Sequence, residues 1–192
     1  MASQGANALL TAWYPGEQGG EAVADVVFGD YNPAGRIPVG IPRNVGQIPV
    51  FYSKRPSHDY IDSKAAPLYA FGYGLSYTTF TIGEGKIKKD GKDHILTLPV
   101  SNTGSRDGAE VVQVYIRDLS DPDGPLKSLR AFQRVPLKAG ESKTISLTLT
   151  PASFEFFDPN TNTVHTKQGK FEILYGNSSR NQDLKSLQLT IK

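Results

Sequence analysis

The chain has 192 residues and no cysteine, and its 21 basic and 19 acidic side chains leave a net charge of +2. This length suffices for one domain or for one domain plus part of another, and the lack of cysteine excludes disulfide and thiol chemistry. The charges are spread without a run of one sign, which argues against nucleic-acid binding, and no segment has the roughly 20 apolar residues of a membrane helix.

The first 41 residues have the pattern of one strand–helix–strand step of an α/β domain. A nearly continuous apolar run over residues 8–14 predicts a strand buried on both faces. Apolar residues at helical spacing predict a helix over 17–28, which Gly29 is placed to end. Residues 37–41 then predict a second strand. Because such a step needs the rest of its sheet, we expect residues 1–45 to be disordered, or to drive association, where that sheet is missing.

The second segment, residues 42–77, is rich in proline, glycine and tyrosine. Its four prolines and three glycines disfavour regular helices and strands. Its five tyrosines need a surface to pack against, which argues against a flexible linker. We therefore predict an extended, ordered connector that lies against the segments on both sides of it.

Residues 78–192 alternate between apolar and polar side chains, with a turn signal after each run. The clearest apolar sets are Leu96, Leu98 and Val100; Val112, Val114 and Ile116; Ile145, Leu147 and Leu149; and Phe171, Ile173 and Tyr175. This period of two predicts about seven strands, each with one buried face. The chain as a whole is therefore predicted to be mainly β: an immunoglobulin- or fibronectin type III-like antiparallel β-sandwich preceded by an α/β remnant and a connector.

Two motifs in these segments resemble those of a known family. The run from Trp13 to Gly16, continued through Gly19-Gly20 to Asn32-Pro33-Ala34-Gly35-Arg36-Ile37-Pro38, is similar to the closing segment of the α/β-sandwich domain in family-3 glycoside hydrolases. The run from Pro67 to Phe80 resembles the passage of that family into its fibronectin type III-like domain. The two motifs stand in the family's order and are followed by the β pattern, so the resemblance covers the chain from residue 8 onward.

The resemblance implies the C-terminal part of a retaining exo-β-glycosidase of the β-glucosidase type. In the family, a (β/α)₈ barrel carries the nucleophilic aspartate, and the α/β-sandwich domain carries the acid/base glutamate ahead of the matched motifs. It thus implies that this chain holds no catalytic residue and no metal ligand, and that no cofactor is needed. The implied partners are the two upstream domains and, through them, a β-linked oligosaccharide or glycoside, in a periplasmic or secreted bacterial protein.

One cluster within the connector has the residue types of a saccharide-binding site. Arg55, His58, Asp59 and Tyr60 combine groups that hydrogen-bond to sugar hydroxyls with a ring that can stack on a sugar face. We predict that they line the substrate entrance of the parent enzyme. The alternative is that they belong to a solvated, packed linker without a role in binding.

Other candidate residues have simpler explanations. Retaining hydrolysis needs two carboxyls about 5–5.5 Å apart. Glu17 and Glu21 are one helical turn apart and could resemble such a pair. Acidic side chains are, however, favourable at the start of a helix because they interact with its dipole, and this accounts for both residues. The three histidines, His58, His94 and His165, fall in different predicted elements without the spacing of a metal site.

Two further hypotheses about the function remain beside the hypothesis that the chain is part of an enzyme. The β-sandwich could be a non-catalytic module that binds carbohydrate or a partner protein, which a continuous exposed aromatic strip would favour. The predicted alternation places most aromatic side chains inward, which counts against that reading. The chain could also be a fragment without independent activity, which is compatible with the enzyme reading.

Overall fold

The computed structural model describes residues 5–55, 59, 64–158 and 160–192. Within them, the chain forms one α-helix, α1 (Gly19–Phe28), short 3₁₀ turns at Val45–Gln47, Pro151–Phe154 and Asn181–Asp183, and ten strands. The strands are β1 (Phe80–Ile82), β2 (Lys86–Asp90), β3 (Asp93–Asn102), β4 (Gly108–Asp118), β5 (Ser128–Leu137), β6 (Ser142–Leu149), β7 (Glu155–Asp158), β8 (Thr163–Thr166), β9 (Gly169–Gly176) and β10 (Leu184–Ile191).

The strands form two antiparallel four-stranded sheets and a small ribbon. In the first sheet, β3 pairs with β6 along one edge and with β1 and β2 along the other. The second sheet has the order β10-β9-β4-β5, and β7 pairs with β8. The core lies between the two sheets, so the prediction of a mainly β sandwich is confirmed.

The core consists of the apolar sets that alternate along the strands. Leu96, Leu98 and Val100 from β3 pack with Val112, Val114 and Ile116 from β4, as part of a larger buried cluster. Fully burying a side chain of this kind contributes about 1.5–3 kcal/mol. The period of two therefore fixes both the register of each strand and the face that it buries.

Pro99 lies in the middle of β3, a strand that is paired on both edges. The Pro99 carbonyl accepts a hydrogen bond from the Gly83 amide at 2.9 Å, in the gap between β1 and β2. The nitrogen and the carbonyl of a strand residue point to the same edge, so the missing N–H also faces this gap. The sequence indicates an edge strand or a bulge at Pro99, whereas the structure breaks the neighbouring strand instead.

In the first 41 residues only the predicted helix forms. Gly29, with φ of 89°, ends α1, and its amide donates to the carbonyls of Asp25 and Val26. The strands predicted over 8–14 and 37–41 are wrong: residues 8–14 have no regular structure, and 37–41 contribute a single bridge between Ile41 and Tyr69. A strand exists only where a neighbour accepts its hydrogen bonds, and no described strand pairs with residues 8–14.

The turn after α1 is hydrogen-bonded to the sandwich. The Asn32 side chain donates to the carbonyl of Asp107 at 2.8 Å, and its oxygen accepts from the Ser76 hydroxyl and the Tyr77 amide, both at 2.8 Å. The Tyr77 hydroxyl in turn donates to the Val26 carbonyl inside α1 at 2.7 Å. These bonds fix α1 on the sandwich although the predicted strands beside it are absent.

Candidate functional site

The two predicted lining residues that the structure describes, Arg55 and Asp59, lie in the connector and are exposed. Arg55 donates to the carbonyl of Pro122 in the β4–β5 loop at 3.2 Å. Asp59 accepts from the Ala65 amide at 2.8 Å and from the Lys64 ammonium at 2.9 Å, and these bonds hold the pKa of its carboxyl below the ordinary value. The other two predicted residues, His58 and Tyr60, lie outside the described residues.

The connector forms a loop whose two ends are joined by backbone hydrogen bonds, and we call this junction the neck. The Ile41 amide donates to the Tyr69 carbonyl, and the Leu68 amide donates to the Ile41 carbonyl, both at 2.8 Å. Within the loop above this neck, Gln47 is buried, and its side-chain amide donates to the carbonyls of residues 64, 65 and 66 at 3.0, 2.7 and 3.1 Å. Its oxygen accepts from the Arg43 amide at 2.7 Å. One glutamine therefore joins the two sides of the loop that carries Arg55 and Asp59.

Aromatic rings attach the connector to the second sheet. Tyr52 stacks on Phe71 with ring centroids 4.3 Å apart and meets Tyr115 of β4 edge to face at 5.7 Å. The Tyr52 hydroxyl accepts from the Leu129 amide at 3.1 Å. Burial raises the pKa of the Tyr115 hydroxyl well above its ordinary value, so Tyr115 is a neutral packing residue and not an acid or base.

A buried hydrogen-bond network joins the connector, β4 and the turn after β9. The Gln113 side-chain amide donates to the carbonyls of Gly72 and Asn177 at 2.9 and 2.8 Å. Its oxygen accepts from the Tyr115 hydroxyl at 2.6 Å. Both polar ends of Gln113 are thus satisfied, which a buried amide requires.

A buried ion pair joins the segment after α1 to the start of β4. Arg36 donates to Glu110, and both side chains are almost inaccessible to solvent. Glu110 also accepts from the Val111 amide at 2.7 Å and from the Asn177 side chain at 3.2 Å. Removing either partner of such a pair would leave an uncompensated charge in the interior, so the two residues stabilise the fold only together.

A cleft of about 1160 Å³ lies between the connector and the face of β9 and β10 that points away from the core. We call it the connector cleft. Its described lining includes six basic residues, Arg43, Lys54, Arg55, Arg117, Lys127 and Arg180, and one carboxylic acid, Glu172. A lining with one carboxyl does not provide the pair that glycoside hydrolysis uses.

The other candidates do not form a site. Glu21 lies in the first turn of α1, two residues after its start at Gly19, and Glu17 precedes the helix. Within the described part of the chain, no group of three or more histidine, aspartate or glutamate side chains could hold a metal ion. No helix in the same part of the chain has the length and apolar character needed to span a membrane.

Sequence reasoning missed the polar contacts that hold the connector in place. The period of two places Gln113 and Tyr115 on the face of β4 opposite Val112 and Val114 and so predicts that they are exposed, but both are buried beneath the connector. Sequence reasoning also did not pair Arg36 with Glu110, or identify Lys127 as a buried cation. The sequence does contain a sign of these contacts. Glu110 and Gln113 lie among apolar residues in β4, and a buried polar side chain needs a hydrogen-bonding partner, which here comes from outside the sheet.

Two family models match different parts of the chain. The model of the glycosyl hydrolase family 3 C-terminal domain matches residues 1–77, and that of the fibronectin type III-like domain matches residues 110–179. The xylan 1,4-β-xylosidase of Xylanibacter ruminicola is 51% identical over 98% of this chain and 22% of its own length. The periplasmic β-glucosidase of Salmonella typhimurium is 41% identical over 90% of this chain and 25% of its own length.

Solved structures give the same result. A β-glucosidase from Erythrobacter marinus superposes with a TM-score of 0.90 at 39% identity, covering 100% of this chain and 26% of that one. The β-glucosidase from Listeria innocua in complex with glucose gives 0.88 at 30% identity, covering 98% and 28%. The chain therefore spans about a quarter of the length of the relatives it matches.

Proposed function

The chain belongs to glycosyl hydrolase family 3, and from this premise we propose that it works as the C-terminal region of a retaining exo-β-glycosidase. The bonds cleaved are β-glycosidic, as the names of its β-xylosidase and β-glucosidase relatives suggest. The nucleophile and the acid/base residue belong to a (β/α)₈ barrel and to the rest of the α/β-sandwich domain. Residues 1–41, 42–77 and 78–192 then serve as the end of that domain, a connector and a supporting β-sandwich.

The observation that carries this proposal is the uneven distribution of exposed apolar side chains. Among the described residues, seventeen large hydrophobic side chains are exposed, and eleven of them lie between Leu9 and Phe51. Phe28 at the end of α1 is 83% exposed, although the same helix accepts a hydrogen bond from Tyr77 at the end of the connector. Apolar surface at this density favours contact with a further domain.

The sandwich supports that contact by holding α1 and the connector in fixed positions. Arg36 is bound to Glu110 and Asn32 is bound to the carbonyl of Asp107, so the segment after α1 is attached to β4 and to the residue before it. A domain packed against α1 is thereby positioned relative to the connector. The connector can then present Arg55, His58, Asp59 and Tyr60 at the substrate entrance, which is the role proposed for these four residues.

The alternative hypothesis, a non-catalytic binding module, agrees less well with the sequence matches and with the burial of aromatic side chains. The chain matches the C-terminal region of hydrolases along nearly its whole length. Large aromatic side chains of the sandwich such as Tyr115, Phe154 and Phe171 are fully buried. Among the described residues, the exposed ones are Phe132 on β5 and Phe157 on β7, two strands that do not pair with each other, so they form no continuous strip along one sheet.

A chimeric enzyme tests the proposal. This chain replaces the matching region of the Xylanibacter ruminicola β-xylosidase, and hydrolysis of an aryl β-xyloside is measured. We expect an active chimera, because 51% identity over that region preserves the docking surface. A folded but inactive chimera would contradict the proposal. Hydrolysis by the chain alone would contradict the placement of both catalytic carboxyls outside it and would redirect attention to Glu17, Glu21 and Asp59.

A matched pair of variants locates the docking surface. Phe28→Asp places a charge on the exposed apolar face of α1, and Phe157→Asp places one on an exposed side chain of β7. We expect the first change to lower the activity of the chimera by about tenfold or more, because an unpaired charge in an apolar interface is costly. The second should leave activity within about twofold. Equal effects of the two changes would contradict a docking role for α1.

A further inference from the structure

The connector cleft carries more positive charge than its described carboxylates balance. Arg180 is paired with Asp183, and Arg117 lies 3.9 Å from Glu172. The remaining four basic residues have neutral partners among the described contacts. Arg43 and Arg55 donate to main-chain carbonyls, Lys54 lies over the ring of Phe51, and Lys127 binds a carbonyl and an amide oxygen.

Lys127 gives this charge a fixed position. Its ammonium group is buried and donates to the Ser179 carbonyl at 2.8 Å and to the Asn181 side chain at 2.7 Å. Burial lowers the pKa of Lys127, and the attraction of Glu172 opposes this change only in part. A buried cation without a charged hydrogen-bond partner is costly, and an anion bound nearby would offset that cost.

The rest of the lining suits a saccharide. Asn181, Gln182 and Ser186 provide side-chain groups that donate to and accept from hydroxyls. Phe51 is half exposed at the cleft and offers an apolar ring face. An open cleft that combines a few polar groups with aromatic and apolar walls is typical of ligand sites.

We propose that the connector cleft binds a saccharide that carries a carboxylate group. The carboxylate lies against the basic lining, because arginine and lysine form their strongest hydrogen bonds with anionic oxygens. The sugar hydroxyls meet the amide and serine side chains, and one ring packs toward Phe51. Arg55 is shared with the proposed substrate entrance, but binding in the connector cleft can be tested on the chain itself whether or not the proposed glycosidase activity holds.

Calorimetric titration of the 192-residue chain tests the site with three probes. These are tetragalacturonate, the neutral galactotetraose, and tetraglutamate as a peptide with the same number of side-chain carboxylates. We expect tetragalacturonate to bind about tenfold or more tighter than either of the others at about 50 mM salt, and to weaken as salt is raised. Equal binding of galactotetraose would overturn the role of the carboxylate. Equal or tighter binding of tetraglutamate would overturn the preference for a saccharide, and no measurable binding of tetragalacturonate would overturn the site.

Two double variants with the same change in charge locate the binding. Lys54→Gln with Arg55→Gln removes two exposed cations from the cleft, and Lys86→Gln with Lys88→Gln removes two exposed cations from β2 in the other sheet. We expect about tenfold weaker binding of tetragalacturonate for the first pair and less than about twofold for the second. Methyl NMR signals of Leu174 and Leu184, which line the cleft, should shift on binding. Equal losses in both pairs, or unchanged leucine signals, would overturn the proposal.

Discussion

Gly72 lies where the connector turns onto the sandwich. Its φ of 77° falls in the left-handed region, which side chains other than glycine rarely adopt. A Cβ atom at this position would also lie 2.0 Å from the Gln113 side-chain oxygen, the atom that accepts from Tyr115. Glycine is therefore required here for two separate reasons, backbone conformation and close approach.

Gly72→Ala is expected to destabilise the chain far more than Gly91→Ala. Gly91 also has a positive φ, of 58°, but a Cβ atom there would meet open space. The Gly91 change should cost only the backbone term of about 1–2 kcal/mol. The Gly72 change should cost about 2 kcal/mol more, because it also displaces a buried hydrogen-bonded amide. Urea denaturation measures both, and equal losses would show that Gln113 adjusts freely.

Arg36→Met should lower the free energy of unfolding by about 3 kcal/mol, because it leaves the buried carboxylate of Glu110 without its cation. Lys185→Met is the matched control, since Lys185 also binds a glutamate, Glu84, but on the surface. That change should have little effect, because solvent screens exposed ion pairs. Chemical denaturation of both variants compares them, and a small loss for Arg36→Met would indicate that Glu110 reaches solvent.

Asp118 and Lys167 predict a pH dependence of stability with two limbs. Burial by itself raises the pKa of Asp118, but hydrogen bonds from Lys167 and Ser120 outweigh burial, so the pKa lies below its ordinary value of 3.8. The hydrogen bond to Asp118 raises the pKa of Lys167 above 10.5. The carboxylate thus stabilises the fold above pH 3.8 and loses this effect as the pH falls through its folded pKa. The ammonium stabilises the fold below pH 10.5 and loses this effect as the pH rises through its folded pKa.

Asp118→Asn should therefore reduce stability between these limits and flatten both limbs of the profile. Asp121→Asn is the control, because Asp121 lies farther from the Lys167 ammonium, at 3.6 Å against 2.7 Å. Urea unfolding across the pH range, taken as the difference between wild type and variant, isolates the pair from other carboxylates. A difference that does not change with pH would mean that the contact is not ionic in solution.

Side-chain hydrogen bonds, and not regular secondary structure, hold the two sides of the connector together, and Gln47 makes four of them. Gln47→Ala removes three donor contacts to residues 64, 65 and 66 and the acceptor for Arg43. We expect faster amide exchange at Arg43 and Leu68, with unchanged exchange in β4 and β9, because local opening does not require the sandwich to unfold. Gln188→Ala on exposed β10 is the control and should change neither region. Faster exchange throughout the sandwich would show that the connector and the sheets unfold together.

The strands of the sandwich and helix α1 could be predicted because their signals are local. Alternation along β3 and a glycine after α1 are visible in any short window of sequence. The strands over 8–14 and 37–41 could not be judged in this way, because an apolar run becomes a strand only beside a partner. For the same reason β4 was assigned one buried face, whereas the connector buries the other through Gln113 and Tyr115.

The candidate site could be predicted less well than the fold. Arg55 and Asp59 are both exposed in the connector, but each has its own hydrogen-bond partner, Pro122 for Arg55 and Lys64 for Asp59. The basic lining of the connector cleft cannot be predicted from the sequence, because Lys127 and Glu172 are brought beside the connector by the fold of the sandwich. Contacts between residues far apart in sequence depend on the fold and not on spacing.

At the level of the complete chain, the two ends differ in how fully they bury their apolar side chains. The sandwich has a closed core in which Leu96, Val112 and Ile173 are fully buried. The described residues before the connector contribute nothing to this core, and Leu9, Leu10 and Trp13 are about half exposed. Independent folding requires buried apolar area to offset the loss of chain entropy. We therefore expect the sandwich to fold on its own and the first segment to need a partner surface.

Hydrogen exchange of the isolated chain measures this difference directly. We expect amides from Leu9 to Tyr14 to exchange at close to the rate of an unfolded peptide, since this stretch has no strand partner and its side chains are exposed. Amides in β4 and β9, which are paired in the middle of the second sheet, should exchange only through global unfolding. The measurement is made on material shown to be monomeric, because association through the apolar face would itself slow exchange. Strong protection of residues 9–14 in a monomer would contradict the expectation. Protection that arises only when the barrel and the α/β-sandwich domain of a relative are added would show that those domains cover residues 9–14.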